Sequence, residues 1–258
     1  GDLKLAIQSF RGVEKENKKC YYSDMIHHKN NKKGFTLAEV LITLGIIGVV
    51  AALTIPGLIA NHRKKVVEVR LKKFYSTYMN AIEMSQSENG DLSTWDYATQ
   101  SVGTNSSNAE NFQFFNKYLF QYMQGIQICE QTKCPDVTVD PEVTTNALGY
   151  SRYVFSDGSC FGILTGGTTS SSFVNIHGWY DYNCSGNPNK AGRDQFLFRM
   201  TLGSSDNYVP FQFTNDSKKI SVATRTYLLE HCKTKPADCG ALIQYDGWNV
   251  SKDYPIRL

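Results

Sequence analysis

At 258 residues the chain is long for one domain and short for two large ones, so one globular body with an appendage is expected. Its formal charge of +3 is unevenly spread: residues 1–34 hold eight Lys/Arg against four Asp/Glu, while the charges of the remainder nearly cancel. A near-neutral body rich in Tyr, Ser, Thr, Asn and Gly lacks the clustered cations of a nucleic-acid clamp, so no specific nucleic acid is expected as a partner.

After the basic leader comes an apolar run. From Val40 to Ala60 there is no charge, and Thr43 and Thr54 are the only polar side chains. At the helical rise this segment is roughly 31 Å long, about one hydrocarbon core. A buried core helix is the competing reading, but core helices rarely run so far without a polar face. Lys29, Lys32 and Lys33 ahead of the run keep the N-terminal side cytoplasmic, and His62-Arg63-Lys64-Lys65 directly after it is the counter-signal. Cys20 precedes the run, whereas Cys129, Cys134, Cys160, Cys184, Cys232 and Cys239 follow it. An even set on one side fits an oxidising compartment there, so a single-pass protein with its C-terminal body outside is expected. A secretory signal peptide would be shorter and cut after its apolar segment. Here the candidate cut, Gly34–Phe35, precedes the segment, which would be retained.

Lys-Gly-Phe-Thr-Leu-Ala-Glu-Val at 33–40, followed by that apolar helix, resembles the N-terminal processing motif of type IV pilins and type II secretion pseudopilins. The resemblance implies cleavage after Gly34 by a membrane prepilin peptidase and N-methylation of the new terminal Phe35. A leader beginning at Met25 is equally compatible with the motif. The implied partners are copies of the chain, other pilins or pseudopilins, and an inner-membrane assembly platform. The implied location is the bacterial inner membrane, then a periplasmic or cell-surface filament. Pro56 also stands where such helices often carry a proline.

Glu39 has its own physical argument. A carboxylate near the bilayer core costs roughly 2.5–3.5 kcal/mol, so a compensating partner is expected. Cleavage creates a cationic amine on Phe35. In a staggered bundle Glu39 of one subunit can pair with the Phe35 amine of the next, where desolvation strengthens the attraction and sets register. Such an open contact between identical subunits builds a filament rather than a ring. The alternative is a Glu39 solvated at the headgroup boundary. Pro56 and Gly57 predict a bend or locally melted segment over 52–58, against a merely tolerated membrane proline.

Beyond the membrane Val67, Leu71, Phe74, Tyr75, Tyr78 and Ile82 recur at helical spacing, and Glu68 is placed to pair with Lys72. One helix is expected from Thr36 to Glu88, stopped by Asn89-Gly90. Residues 91–107 read as loop, and Asn108–Gln124 as a helix with Phe112, Phe115, Leu119 and Tyr122 on one face. Strands are expected at Tyr150–Phe155 and Cys160–Leu164 around a Ser156-Asp157-Gly158 turn, then at Ser172–Ile176, Gln195–Thr201, Val209–Phe213 and Ile220–Val222. The fold class is therefore α+β, a long N-terminal helix on an antiparallel sheet, which is also what the pilin resemblance implies. The domain plan is leader 1–34, membrane and assembly helix 35–61, amphipathic helix 62–90 and extracytoplasmic head 91–258.

Asp181, Asn183, Asn187 and Asp194 are oxygen donors of the kind calcium prefers, but no regular ligand spacing is visible and turn chemistry is the favoured explanation, so no cofactor is expected and bound Ca2+ is the alternative. Six cysteines allow fifteen pairings, of which short loops favour Cys129–Cys134 and Cys232–Cys239, leaving Cys160 for Cys184. Zinc is disfavoured because His62, His177 and His231 are scattered. No phosphate loop, nucleophile elbow or zinc helix is present, and Gly166-Gly167 reads as a flexible loop. His177 with Asp181 is the one conceivable catalytic pair, and Trp179, Tyr180 and Tyr182 would either line a ligand surface or pack in the sheet. Two functions remain: a non-enzymatic filament subunit, or a membrane-anchored exported binding module, adhesin or enzyme with a pilin-like N-terminus.

Overall fold

The computed structural model describes residues 34–96, 108–128, 137–144, 150–167, 173–203, 208–216 and 218–258. The leader, Cys129 and Cys134 lie outside them. Two compact units divide the chain at Val50–Ala51. The first contributes the start of helix α1 (Leu37–Asn89), and the second holds the rest of α1 and the whole head.

Helix α1 stops where Asn89-Gly90 predicts. Gly90 takes φ +83°, which a side chain would resist, and its N–H donates to the Gln86 carbonyl at 3.0 Å. Within the second unit α1 buries Val67, Leu71, Phe74, Tyr78, Ala81 and Ile82. Phe74 is the centre of this face: its ring stacks on Tyr180 at 4.3 Å and meets Phe161 and Phe198 at 5.2 and 5.3 Å. Glu68 does not pair with Lys72. It is buried, takes Lys65 at 3.2 Å, and its other oxygen accepts the Val250 N–H at 3.0 Å.

The sheet is an antiparallel meander in chain order, β1 (Ile126–Ile128), β2 (Ser151–Phe155), β3 (Cys160–Gly167), β4 (Phe173–Asp181), β5 (Gln195–Gly203) and β6 (Val209–Gln212). Alternation puts Tyr153, Phe161, Ile163, Ile176, Tyr180, Phe196, Phe198 and Met200 on one face, in a single core with α1. The same core receives Phe115 and Leu119 from α2 (Asn108–Tyr118) and the residue after it. The other face carries Trp179, Cys160, Cys184 and Ala191. Two cross-strand pairs use glycine as a seat for an aromatic ring. Trp179 lies over Gly162 and Phe198 over Gly178, on opposite faces of the sheet.

Several expectations are corrected. α2 is shorter than its sequence pattern, is followed by a 3-10 turn at Phe120–Tyr122, and its buried face is Phe114, Phe115, Tyr118 and Leu119, with Phe112 exposed. Leu92–Thr94 is a 3-10 turn inside the expected loop. Ile220–Val222 is a 3-10 turn rather than a strand, because the Ile220 N–H is taken by the Gln212 side chain and no strand lies beside it. Gly166 and Gly167 end β3 instead of forming a loop, paired with Asn175 and Val174. Strand β1 and helices α3 (Arg225–Thr234) and α4 (Gly240–Tyr245) are additions to the expected elements. The cue for α3 is Thr224, whose hydroxyl accepts the Tyr227 N–H at 3.2 Å as an N-cap.

Both disulfides expected within the described residues are formed. Cys160–Cys184 ties β3 to the loop after β4, and Cys232–Cys239 closes the turn between α3 and α4.

Candidate functional site

Gly34, Phe35 and Thr36 are non-helical and exposed, Phe35 by 88 %. A Cβ added at Gly34 would meet nothing within 4 Å, so the chain's own packing does not require glycine there. Helix α1 starts immediately after, and its start is closed by a reciprocal pair. Glu39 accepts the Thr36 N–H at 2.8 Å and the Thr36 hydroxyl at 2.9 Å, while the Glu39 N–H donates to the Thr36 hydroxyl at 3.2 Å. This is a capping box, in which two helix-end donors are satisfied by side chains. Its signature, Thr-x-x-Glu ahead of an apolar run, stands in the sequence. Within one chain Glu39 therefore has a local partner, with its carboxylate at the exposed helix start.

From residue 37 to 59 the side chains are exposed, Ala51 alone being half-buried, and the most apolar window of α1 has no share buried among the described residues. Leu41, Ile42, Leu44, Ile46, Ile47, Val49, Leu53 and Leu58 form an uncovered surface of aliphatic carbon. Water cannot wet such a surface without a penalty of about 25 cal/mol for each Å2, so it requires lipid or other helices around it. Thr43 does not interrupt it, because its hydroxyl donates to the Val40 carbonyl at 3.0 Å. Residues 52–58 are α-helical throughout, so the expected locally melted segment at Pro56 and Gly57 is absent from this chain. Pro56 is accommodated inside the helical run.

Of the oxygen donors considered for calcium, Asp181 and Asp194 accept backbone N–H groups, whereas the buried Asn183 side-chain oxygen has no hydrogen-bond partner among the described residues. Asp181 is fully buried and accepts the N–H groups of Asn183 at 2.9 Å and Cys184 at 2.8 Å, plus the Gln195 amide at 2.9 Å. Asp194, also fully buried, accepts those of Asn189 at 3.0 Å and Lys190 at 2.5 Å. The Asn183 side-chain N–H donates to the Gly186 carbonyl, and Asn187 is exposed ahead of a cis bond to Pro188. Among the described residues no group of three or more His, Cys, Asp or Glu is placed to hold a metal ion.

His177 and Asp181 do not meet in a catalytic arrangement. The His177 ring pairs with the Asn215 side chain at 2.8 Å, four residues along β4 from an Asp181 that is already saturated. Burial pushes the His177 ring down, and Asn215 opposes that only in part, so it is neutral near pH 7. His231 pairs with Asp238 at 2.9 Å instead. Trp179 and Tyr180 are sheet packing, and Tyr182 is half-buried against the main core. A cavity of about 440 Å3 is lined by Glu142, Leu197, Asn215, Thr234, Lys235 and Asp238, whose carboxylate is already taken by His231 and the Asn215 N–H.

Comparison with known proteins places these features. Residues 29–55 match the prokaryotic N-terminal methylation motif. The chain is 29% identical over 73 residues to prepilin peptidase-dependent protein D of Escherichia coli K12, covering 28% of this chain and 49% of that protein. It is 35% identical over 79 residues to the type IV wide pilus major component PilA4 of Thermus thermophilus, covering 31% of this chain and 60% of that protein. The chain thus spans about half to three fifths of the length of these curated relatives. No solved structure matches. Residues 57–258 match the family of unknown function DUF6613, so the chain belongs to that family, with a head of α+β architecture joined to a prepilin-type N-terminal methylation motif.

Proposed function

We propose that this chain is a structural subunit of a filament, either a type IV pilus or a type II secretion pseudopilus. In this reading a membrane prepilin peptidase cuts between Gly34 and Phe35, the Phe35 amine is methylated, and α1 anchors the subunit in the bacterial inner membrane until assembly. The carrying observation is the exposed, non-helical Gly34–Thr36 segment set directly before a helix whose apolar face no described residue covers. A peptidase needs the first, and a bundle of such helices needs the second.

Assembly follows from charge. Glu39 offers a carboxylate at the start of α1, and processing supplies the cation, so pairing between neighbours exchanges a capping bond for a desolvated ion pair. Pro56 and Gly57 would then give way only when α1 repacks among its neighbours. The two disulfides support an oxidising location for the head, as do the relatives' printed names for a pilus setting. The head contributes surface rather than catalysis. Replacing Gly34 by Val tests the reading: the leader should stay on, as read by intact-mass measurement, and filaments should be absent by electron microscopy. Normal processing or normal filaments from that variant would reject it. Secretion is separated from pilus formation by deleting the gene and scoring exported enzymes against surface fibres.

A further inference from the structure

The cavity of about 440 Å3 in the head takes no part in the filament reading. Its size is that of a small-molecule site, for which about 300–1,000 Å3 is usual. Three segments distant in sequence wall it: residues 137–144, the stretch after β6, and the turn between α3 and α4, while β5 supplies Leu197. Val143, Leu197 and Ala237 line it with apolar carbon, and Glu142, Asn215 and Lys235 bring polar groups to the same space.

Each wall is set by a buried anchor. The buried Asp140 accepts the Glu142 N–H at 3.0 Å, and its own N–H donates to the Gln195 side chain at 2.8 Å, which fixes this wall to β5. The buried Asp238 accepts the Asn215 N–H at 2.6 Å and pairs with His231 at 2.9 Å, and the Cys232–Cys239 disulfide closes the segment that carries Lys235 and Ala237. His177 pairs with the Asn215 side-chain oxygen at 2.8 Å, leaving the Asn215 amide N–H groups without an acceptor among the described residues. Walls held in this way are preorganised, so little further ordering is needed when a ligand arrives.

The two charges on these walls are opposite, and neither Glu142 nor Lys235 makes an ion pair within 4 Å among the described residues. Burial raises the Asp216 carboxyl, and the Tyr227 hydroxyl, the Lys218 N–H, His231 and Lys235 outweigh it. The Asp216 oxygens are nevertheless filled at short range, by Tyr227 at 2.5 Å and the Lys218 N–H at 3.1 Å, so Lys235 acts there only from a distance. A bare metal ion or oxyanion would use one of the two signs of charge and leave the apolar wall unused. A ligand with an ammonium group, a carboxylate and an apolar side chain uses all three.

We propose that this cavity binds a short peptide with apolar side chains by its two free ends. Glu142 takes the α-ammonium group, Lys235 and the Asn215 amide take the α-carboxylate, and Val143, Leu197 and Ala237 receive a side chain. The site lies wholly in the second compact unit, so it does not depend on cleavage at Gly34.

The test is isothermal titration of the full chain in detergent micelles with leucyl-leucine, its N-acetyl form, its C-terminal amide and the doubly capped form. Wild type should bind the free dipeptide saturably at one site, and each cap should weaken binding by about fivefold, the worth of one exposed ion pair. Lys235→Gln should weaken the free dipeptide by the same factor and abolish the effect of the amide while keeping that of the acetyl group. Glu142→Gln should do the reverse. Both side chains are exposed, so both variants should unfold at the wild-type temperature. Lys233→Gln, whose ammonium group pairs with Glu230 at 2.7 Å, should bind as wild type. Absence of saturable binding by wild type, equal binding of the free and doubly capped dipeptides, or cap effects unchanged in both cavity variants overturns the proposal.

Discussion

Thr36 and Glu39 cap each other at the start of α1, with the carboxylate accepting both the N–H and the hydroxyl of Thr36 at 2.8 and 2.9 Å. Two roles for Glu39 therefore compete, and they separate by substitution. Glu39→Gln keeps an acceptor for the cap but has no charge, so cleavage and helix start should persist while filament yield falls. Thr36→Val breaks the cap, which is worth about 1 kcal/mol, and should speed amide exchange in the first turn of α1 with a smaller effect on assembly. Filament counts by electron microscopy and hydrogen exchange of the full chain check the pair. Normal filaments from Glu39→Gln would reject the charge role.

The β2–β3 turn is tied to α1 by Asp157, which Lys73 meets at 2.7 Å and Arg70 also contacts. Burial alone would raise this carboxyl, but Lys73, Ser159 and Arg70 outweigh it and hold it at about 2. A depressed carboxyl contributes stability that is complete above its unfolded value near 4 and is lost as the pH falls through about 2. Since Lys73 is more than half exposed, solvent screening reduces the contribution to about 1 kcal/mol. Urea unfolding of wild type and Asp157→Asn should differ by that amount at pH 7, and the difference should shrink steadily from about pH 4 to pH 2.

Gly162 and Gly178 are positions where a methyl group has no room. A Cβ at Gly162 would lie 2.4 Å from the indole nitrogen of the fully buried Trp179, and one at Gly178 would lie 2.0 Å from Phe198 and 2.6 Å from the Gly162 carbonyl. Overpacking of this kind typically costs about 1–3 kcal/mol. Gly178→Ala should be the worse of the two by thermal unfolding, because one of its obstacles is backbone.

The two disulfides close loops of different length, with sequence separations of 24 and 7 residues. Chain entropy makes the longer closure worth roughly 1 kcal/mol more, about 3.4 against 2.5. Replacing Cys160 and Cys184 by Ser should lower the urea midpoint more than replacing Cys232 and Cys239, and the reverse order would show that packing around α3 and α4 dominates.

Linear patterns are enough for the features that arise from local spacing. An uninterrupted apolar run, a repeat of three and four, and an Asn-Gly stop determine α1 almost to the residue, since helix bonds and side-chain faces depend on neighbours in sequence. Short Cys spacings lead to both disulfides of the described residues for the same reason. Tertiary structure decides what depends on distant groups. Glu68 passes over Lys72 because Val250, far along the chain, brings it a buried N–H. Ile220–Val222 has strand-like residues but no strand beside it, and β4 runs to Asp181 because β3 and β5 both supply partners. Asp181 and Asp194 anchor turns because the fold brings backbone N–H groups to them. Strand pairing and buried polar satisfaction are relations across the fold, and a sequence read in one dimension does not contain their distances.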